Sequence, residues 1–119
     1  MTAKDLEQGA EWVVRDEAMA LSAVGGDADL ASELYAILCA ELPADLAELR
    51  AHGAAADWTG LAETAHRVCG ASRYCGVPAL DQALAGLEHL ARGGDDPEAI
   101  RTALERVAAE IRRLVPTAC

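Results

Sequence analysis

The sequence predicts an all-α protein, an antiparallel four-helix bundle with a short extra N-terminal helix. Of its 119 residues, 27 are Ala and 15 Leu, against 7 Val, 3 Ile and no Phe. Helices favour that mix, and it lacks the β-branched and aromatic residues that strands want. Apolar residues recur at helical steps, and Gly, Pro and Asp clusters punctuate the stretches between them. No strand or hairpin pattern competes. Four amphipathic segments with short connections make a bundle. One domain over residues 1–119 is the expectation at this length.

The first helix is expected from about Glu11 to Ala23, with Val14, Ala18 and Leu21 on one side. Asp27 then caps a helix running to about Ala51. Leu30, Leu34, Ile37, Leu38, Leu42, Leu46 and Leu49 form its apolar stripe. Pro43 lies inside it and removes the bond to the Cys39 carbonyl, so a kink or a split is expected there. Asp57 caps the next helix, which presents Leu61, Ala65, Val68 and Ser72 at helical steps and ends near Gly76. Val77-Pro78 makes a tight connection. A further helix carries Leu80, Leu84, Leu87 and Ala91 up to Gly93-Gly94. The last opens with Asp96 as cap and Pro97 in the first turn. It shows Ile100, Leu104, Val107, Ile111 and Leu114, and ends on Arg112 and Arg113, which suit a helix C-terminus.

Charge narrows the function. Lys and Arg number 10 against 20 Asp and Glu, for a net charge of -10. Nucleic acid and anionic membrane surfaces both want a basic partner, so neither is expected. No apolar run is long enough to span a bilayer, and MTAKDLEQGAEW has no apolar stretch after a basic start. Cys39, Cys69, Cys75 and Cys119 fit neither a zinc pair nor a disulfide framework. Free thiols in a reducing cytoplasm follow, with a monomer expected.

Among the three histidines, His52 at a helix end reads as solvated, and His89 has no evident partner. His66 differs. It sits one helical step, about 100°, from the core-facing Ala65, at the edge of the buried stripe or on the surface. Gly70 lies one turn further on the same face. A mid-helix glycine costs roughly 1 kcal/mol against alanine, an odd choice in so alanine-rich a chain. It leaves the imidazole open to close approach. Arg67 and Arg73 add positive charge, which suits a nucleophile that handles a phosphoryl group.

The run His66-Arg67-Val68-Cys69-Gly70-Ala71-Ser72, then Gly76, resembles the phosphoacceptor motif of histidine phosphotransfer (HPt) domains. The continuation Tyr74-Cys75-Gly76-Val77-Pro78 is similar to that of BarA/GacS-type hybrid sensor kinases. So are Gly25 to Ala31 and Glu41-Leu42-Pro43 upstream, and the likeness covers about residues 17 to 114. It implies a bundle in which His66 is the phosphoacceptor, taking a phosphoryl group from a receiver-domain aspartyl phosphate and passing it to another receiver. It also implies supporting roles for Arg67, Cys69, Gly70, Arg73, Glu88 and Arg92. Glu88 falls where many members hold the imidazole with Gln or Glu, and Arg92 where some place a basic residue at the rim. Cys69 departs from the pattern, because a basic residue is usual three after the histidine.

If Glu88 accepts the Nδ1 proton, Nε2 keeps its lone pair for attack. The partners implied are receiver (response-regulator) domains, with a hybrid sensor histidine kinase among them. No cofactor is expected on this chain; Mg²⁺ is expected on the receiver. No phosphate-binding glycine loop or ATP motif is present, so the chain should carry phosphate and not draw it from ATP.

Plainer readings stand beside these. Cys69 is also a candidate small buried hydrophobe, Glu88 a solvated carboxylate, and Arg67 and Arg73 free surface charges. Trp12 and Trp58 read as packing anchors at helix starts. A second function, from another class, is a docking module that binds a signalling partner without being phosphorylated. A metal-binding bundle would need more than the one Glu63-x-x-His66 set, so no metal ligand is assigned.

Overall fold

The computed structural model describes residues 12–118, all-helical with no strand among them. The helices are α1 (Glu17–Ala23), α2 (Ala28–Ala54), α3 (Trp58–Ser72), α4 (Pro78–Gly93) and α5 (Pro97–Leu114). Each of α2 to α5 packs on its chain neighbour, and α5 returns to α2 to close the four-helix ring. Among the described helices, the short α1 packs on α2 alone.

Four helices start on an aspartate. Asp16, Asp27, Asp57 and Asp96 accept from the backbone N–H of Met19, Leu30, Gly60 and Ala99, each at 3.0 Å. These bonds satisfy N–H groups that the first turn would otherwise leave without partners. Helix α4 has no side-chain cap and starts on Pro78. Its Ala79 N–H is taken instead by the carbonyl of Val13, at 3.1 Å. The N-terminal segment thus caps α4.

The core is leucine-rich. Leu42, Leu46, Leu49, Leu61, Leu80, Leu84, Leu87, Ile100 and Ile111 are fully buried, with Ala62, Ala65, Ala83 and Ala108 between them. Gly53 belongs to this packing, because a Cβ there would lie 2.7 Å from Leu104 Cδ2.

Several expectations need correction. The helix ending at Ala23 begins at Glu17, after irregular residues 12–16, and the expected start at Glu11 lies outside the described residues. Val14 is therefore not on a helix face, and Ala20 is the residue α1 buries. The cause is Asp16, whose N–H donates to Gly76 O at 2.7 Å while its carboxylate caps α1. Helix α2 does not split at Pro43 and continues past Ala51 to Ala54. Proline costs a helix interior about 3 kcal/mol. Burying Leu38, Leu42, Leu46 and Leu49 on both sides of it, at about 1.5–3 kcal/mol each, outweighs that. Leu30 and Ile37, expected in the stripe, are exposed. At 27 residues α2 outruns partners of 15 to 18, so among the described helices its first turns have only α1 to pack on. Helix α3 stops at Ser72, and a turn follows to Gly76.

Candidate functional site

The site is built where α3 and α4 run side by side. On α3, Leu61, Ala62, Ala65 and Val68 point into the core, which turns the intervening His66 outward. Its imidazole is 64% exposed. On α4, Leu84, Leu87 and Ala91 are buried, so Glu88 stands at the margin of the packed face, with its side chain only 19% exposed. His66 Nδ1 lies 3.1 Å from both Glu88 oxygens. A carboxylate has no proton to give, so Nδ1–H donates; in the neutral ring that tautomer leaves the lone pair on Nε2. One turn along α4, Arg92 closes on the same carboxylate, with Nε and Nη2 each 2.9 Å from Oε2. Burial alone would raise the Glu88 carboxyl, but the bonds from Arg92 and His66 hold it below the ordinary glutamate range.

Gly70, one turn above His66, opens to empty space, with nothing within 4 Å of a Cβ placed there. A second molecule can therefore approach Nε2 over the bare backbone.

Three expected supports lie elsewhere. Cys69 does not line the site. It is 3% exposed inside the core, its thiol directed at the Asp81 carbonyl at 3.9 Å. Burial pushes that thiol up, against the pull of Arg73. Three residues on from His66 is the right turn, but Cys69 continues the Leu61, Ala65, Val68 stripe. Arg67 is exposed, yet it reaches back to α2, to Glu48 Oε1 at 3.1 Å and Asp45 Oδ1 at 3.6 Å. It braces α2 against α3 and does not turn toward Glu88. Arg73 caps the end of α3, close enough to Asp81 to pull its carboxyl down against the larger effect of burial.

His52 is not simply solvated, since its Nδ1 pairs with Asp57 Oδ2 at 3.1 Å. His89 is exposed. The sequence reading passed over Glu48, which takes both Arg67 and the buried Thr64 hydroxyl, the latter at 2.7 Å. It also missed the hydrogen bond from the Ser72 hydroxyl to Asp81. A serine in an apolar stripe was the available signal, because a buried hydroxyl needs a partner. Among the described residues, no three His, Cys, Asp or Glu side chains gather as a metal site. No helix among them is long and apolar enough to cross a membrane.

The family profile of the Hpt domain matches residues 33–115, which takes in α3, α4 and the whole His66 site. The chain belongs to the Hpt domain family. It is 40% identical over 111 residues to the sensor histidine kinase GacS of Pseudomonas protegens, covering 89% of this chain and 12% of that protein. It is 42% identical over 78 residues to the sensor protein GacS of Pseudomonas syringae pv. syringae, covering 66% of this chain and 9% of that protein. This Hpt domain thus spans a small fraction of the curated relatives it matches. In fold it is similar to the crystal structure of the HPT domain from an Hpt sensor hybrid histidine kinase of Shewanella. That likeness has a TM-score of 0.79 and 20% identity, over 88% of this chain and 90% of the other. Within the Hpt domain, His66, Glu88, Arg92 and Gly70 lie together where α3 meets α4. Cys69 and Arg67 belong to its scaffold.

Proposed function

We propose that this Hpt domain carries a phosphoryl group on His66 between receiver domains of a two-component phosphorelay. The observation that carries the reading is the pairing of Nδ1 with the Glu88 carboxylate, which in the neutral ring assigns the lone pair to Nε2, beside the open face of Gly70.

Nε2 attacks phosphorus in line. The Nε2–P bond forms as the bond from phosphorus to the receiver's aspartyl oxygen breaks, and the electron pair leaves with the aspartate carboxylate. The imidazole takes on positive charge, which the Glu88 carboxylate across the Nδ1–H stabilises. The step reverses toward a second receiver. The receiver brings the Mg²⁺ and most of the charge stabilisation that phosphoryl transfer needs. Every group used on this side lies on one chain, so a monomer suffices. The reading carries with it a cytoplasmic setting, in which Cys39, Cys69 and Cys75 stay free thiols.

The test is to mix the chain with a receiver carrying an aspartyl phosphate and follow acid-labile phosphate onto it. The expected result is label on His66 and none in ATP alone. Stable binding to receivers with no label would overturn phosphotransfer in favour of a docking module.

A further inference from the structure

Arg92 lies beside the site, and its charge invites the view that it grips the phosphoryl group. Its contacts point elsewhere. Both nitrogens that reach a partner, Nε and Nη2, lie on the one oxygen Oε2 of Glu88. The same carboxylate presents both oxygens to His66 Nδ1 at equal distance. We propose that Arg92 is a positioning residue that acts through Glu88, fixing the carboxylate against Nδ1 and so selecting the imidazole tautomer with a free Nε2. The inference rests on the phosphotransfer reading for its catalytic consequence, but the tautomer itself can be read without it.

Two observations support a relay over an ordinary surface ion pair. An i, i+4 pair of Glu and Arg on one helix is common and contributes little to stability. Such a pair usually has both ends in water, whereas here the Glu88 side chain is mostly covered and the Arg92 side chain is 53% exposed. The carboxylate is also shared with a histidine from another helix, 22 residues back in the chain. A carboxylate with one rotatable partner can swing off an imidazole. Held from the far side by a guanidinium, it loses that freedom. The guanidinium charge also favours the ionised carboxylate, which can only accept the hydrogen bond from Nδ1–H. Arg67 cannot stand in, because Glu48 and Asp45 hold it on α2.

The chemical test uses phosphoramidate as donor, so that no receiver contact with Arg92 enters. The donor P–N bond breaks with ammonia leaving as Nε2–P forms. Arg92→Met should slow labelling of His66 about 10-fold, the low end for groups that orient a histidine through its second nitrogen. Arg92→Lys should restore part of it, since one ammonium keeps the charge and not the two-nitrogen grip. In a Glu88→Ala background, Arg92→Met should change nothing further. An equal loss in both backgrounds would mean that Arg92 touches the phosphoryl group directly, and would overturn the proposal. So would an Arg92→Met variant that labels at the normal rate. Independently, the ¹⁵N shifts of His66 report which nitrogen carries the proton. The intact chain should show Nδ1–H, and Arg92→Met should move the ring toward a mixture of tautomers. An unchanged ratio refutes the relay whatever the labelling does. Failure of His66 to label in the intact chain, with the tautomer shift present, would instead reject phosphotransfer and leave the relay standing.

Discussion

In the proposed function, His66 is the reacting group and Gly70 the empty space beside it. His66→Gln should abolish acid-labile labelling while leaving stability within about 0.5 kcal/mol, because the imidazole is exposed and packs on nothing in the core. A thermal melt and a labelling assay on one preparation check both halves. Gly70→Gln should separate the two properties in the opposite way. Nothing obstructs a side chain there, so the helix should gain up to about 1 kcal/mol from a better helix former. Transfer should nonetheless fall steeply, since the new side chain occupies the path to Nε2 and in-line attack tolerates little displacement. Cys69→Lys should not prolong the phosphohistidine. The longer side chain must thread out between α3 and α4 from a position 3% exposed, at a cost of about 1–3 kcal/mol. A normal melting temperature with a longer-lived phosphate would show that residue 69 reaches the site after all. The exposure of His66 and the openness at Gly70 were legible in the sequence because both follow from one-dimensional periodicity. The burial of Cys69 was legible too, as the plainer of its two readings, because it continues the α3 stripe. The capture of Arg67 was not, since it depends on Glu48 of α2 and spacing within α3 says nothing of that.

Among the elements, α2 to α5 were legible from caps and stripes, because Asp27, Asp57 and Asp96 are local signals that the structure uses as read. The N-terminal segment was not, since its path is set by a tertiary contact. Asp16 N–H meets Gly76 O at 2.7 Å, and Ala79 N–H meets Val13 O at 3.1 Å. That contact depends on Gly76, whose φ of +64° favours glycine and whose missing side chain admits the Asp16 carbonyl. A Cβ there would lie 2.2 Å from that oxygen. Gly76→Ala should therefore cost about 1–3 kcal/mol through backbone strain, and should release the N-terminal segment from α4. Hydrogen exchange checks this, with lost protection expected at Asp16 and Ala79 and retained protection in α3 and α5. Unaltered exchange at those two amides would mean that the segment is held by other contacts. The continuity of α2 through Pro43 belongs to the same scale. Local chemistry opposes it, and the leucines that it buries on either side prevail.

For the whole molecule, the net charge of -10 and the uneven fates of the carboxylates together set the response to pH. Asp81 and Asp45 are raised, in both cases chiefly by burial of the charged form, with Glu41 and Glu48 adding to the effect at Asp45. A raised carboxyl binds its proton more tightly folded than unfolded. Its contribution to stability is therefore lost as pH rises through the folded value and recovered as pH falls again. Glu48 is lowered first by the Thr64 hydroxyl, Asp57 first by the Gly60 N–H, and Glu88 by Arg92 and His66 against the cost of burial. These groups have the opposite sign. They stabilise above the unfolded carboxylate range and stop doing so as pH falls through their lowered values. Descending from neutral pH, the raised pair gains its protons first, and the self-repulsion of an acidic chain declines alongside. Only further down are the three lowered carboxylates neutralised and their bonds lost. The melting temperature should thus rise from pH 7 to a maximum near about pH 5, the lower edge of the usual stability range, and then fall. Salt should raise it at pH 7, where repulsion is greatest, and do less at the maximum. Asp81→Asn keeps an acceptor for Ser72 without the buried charge, so it should flatten the rise between pH 7 and 5. A melting temperature that falls steadily from pH 7 downward, in both the parent and that variant, would show that the lowered carboxylates outweigh the buried ones throughout.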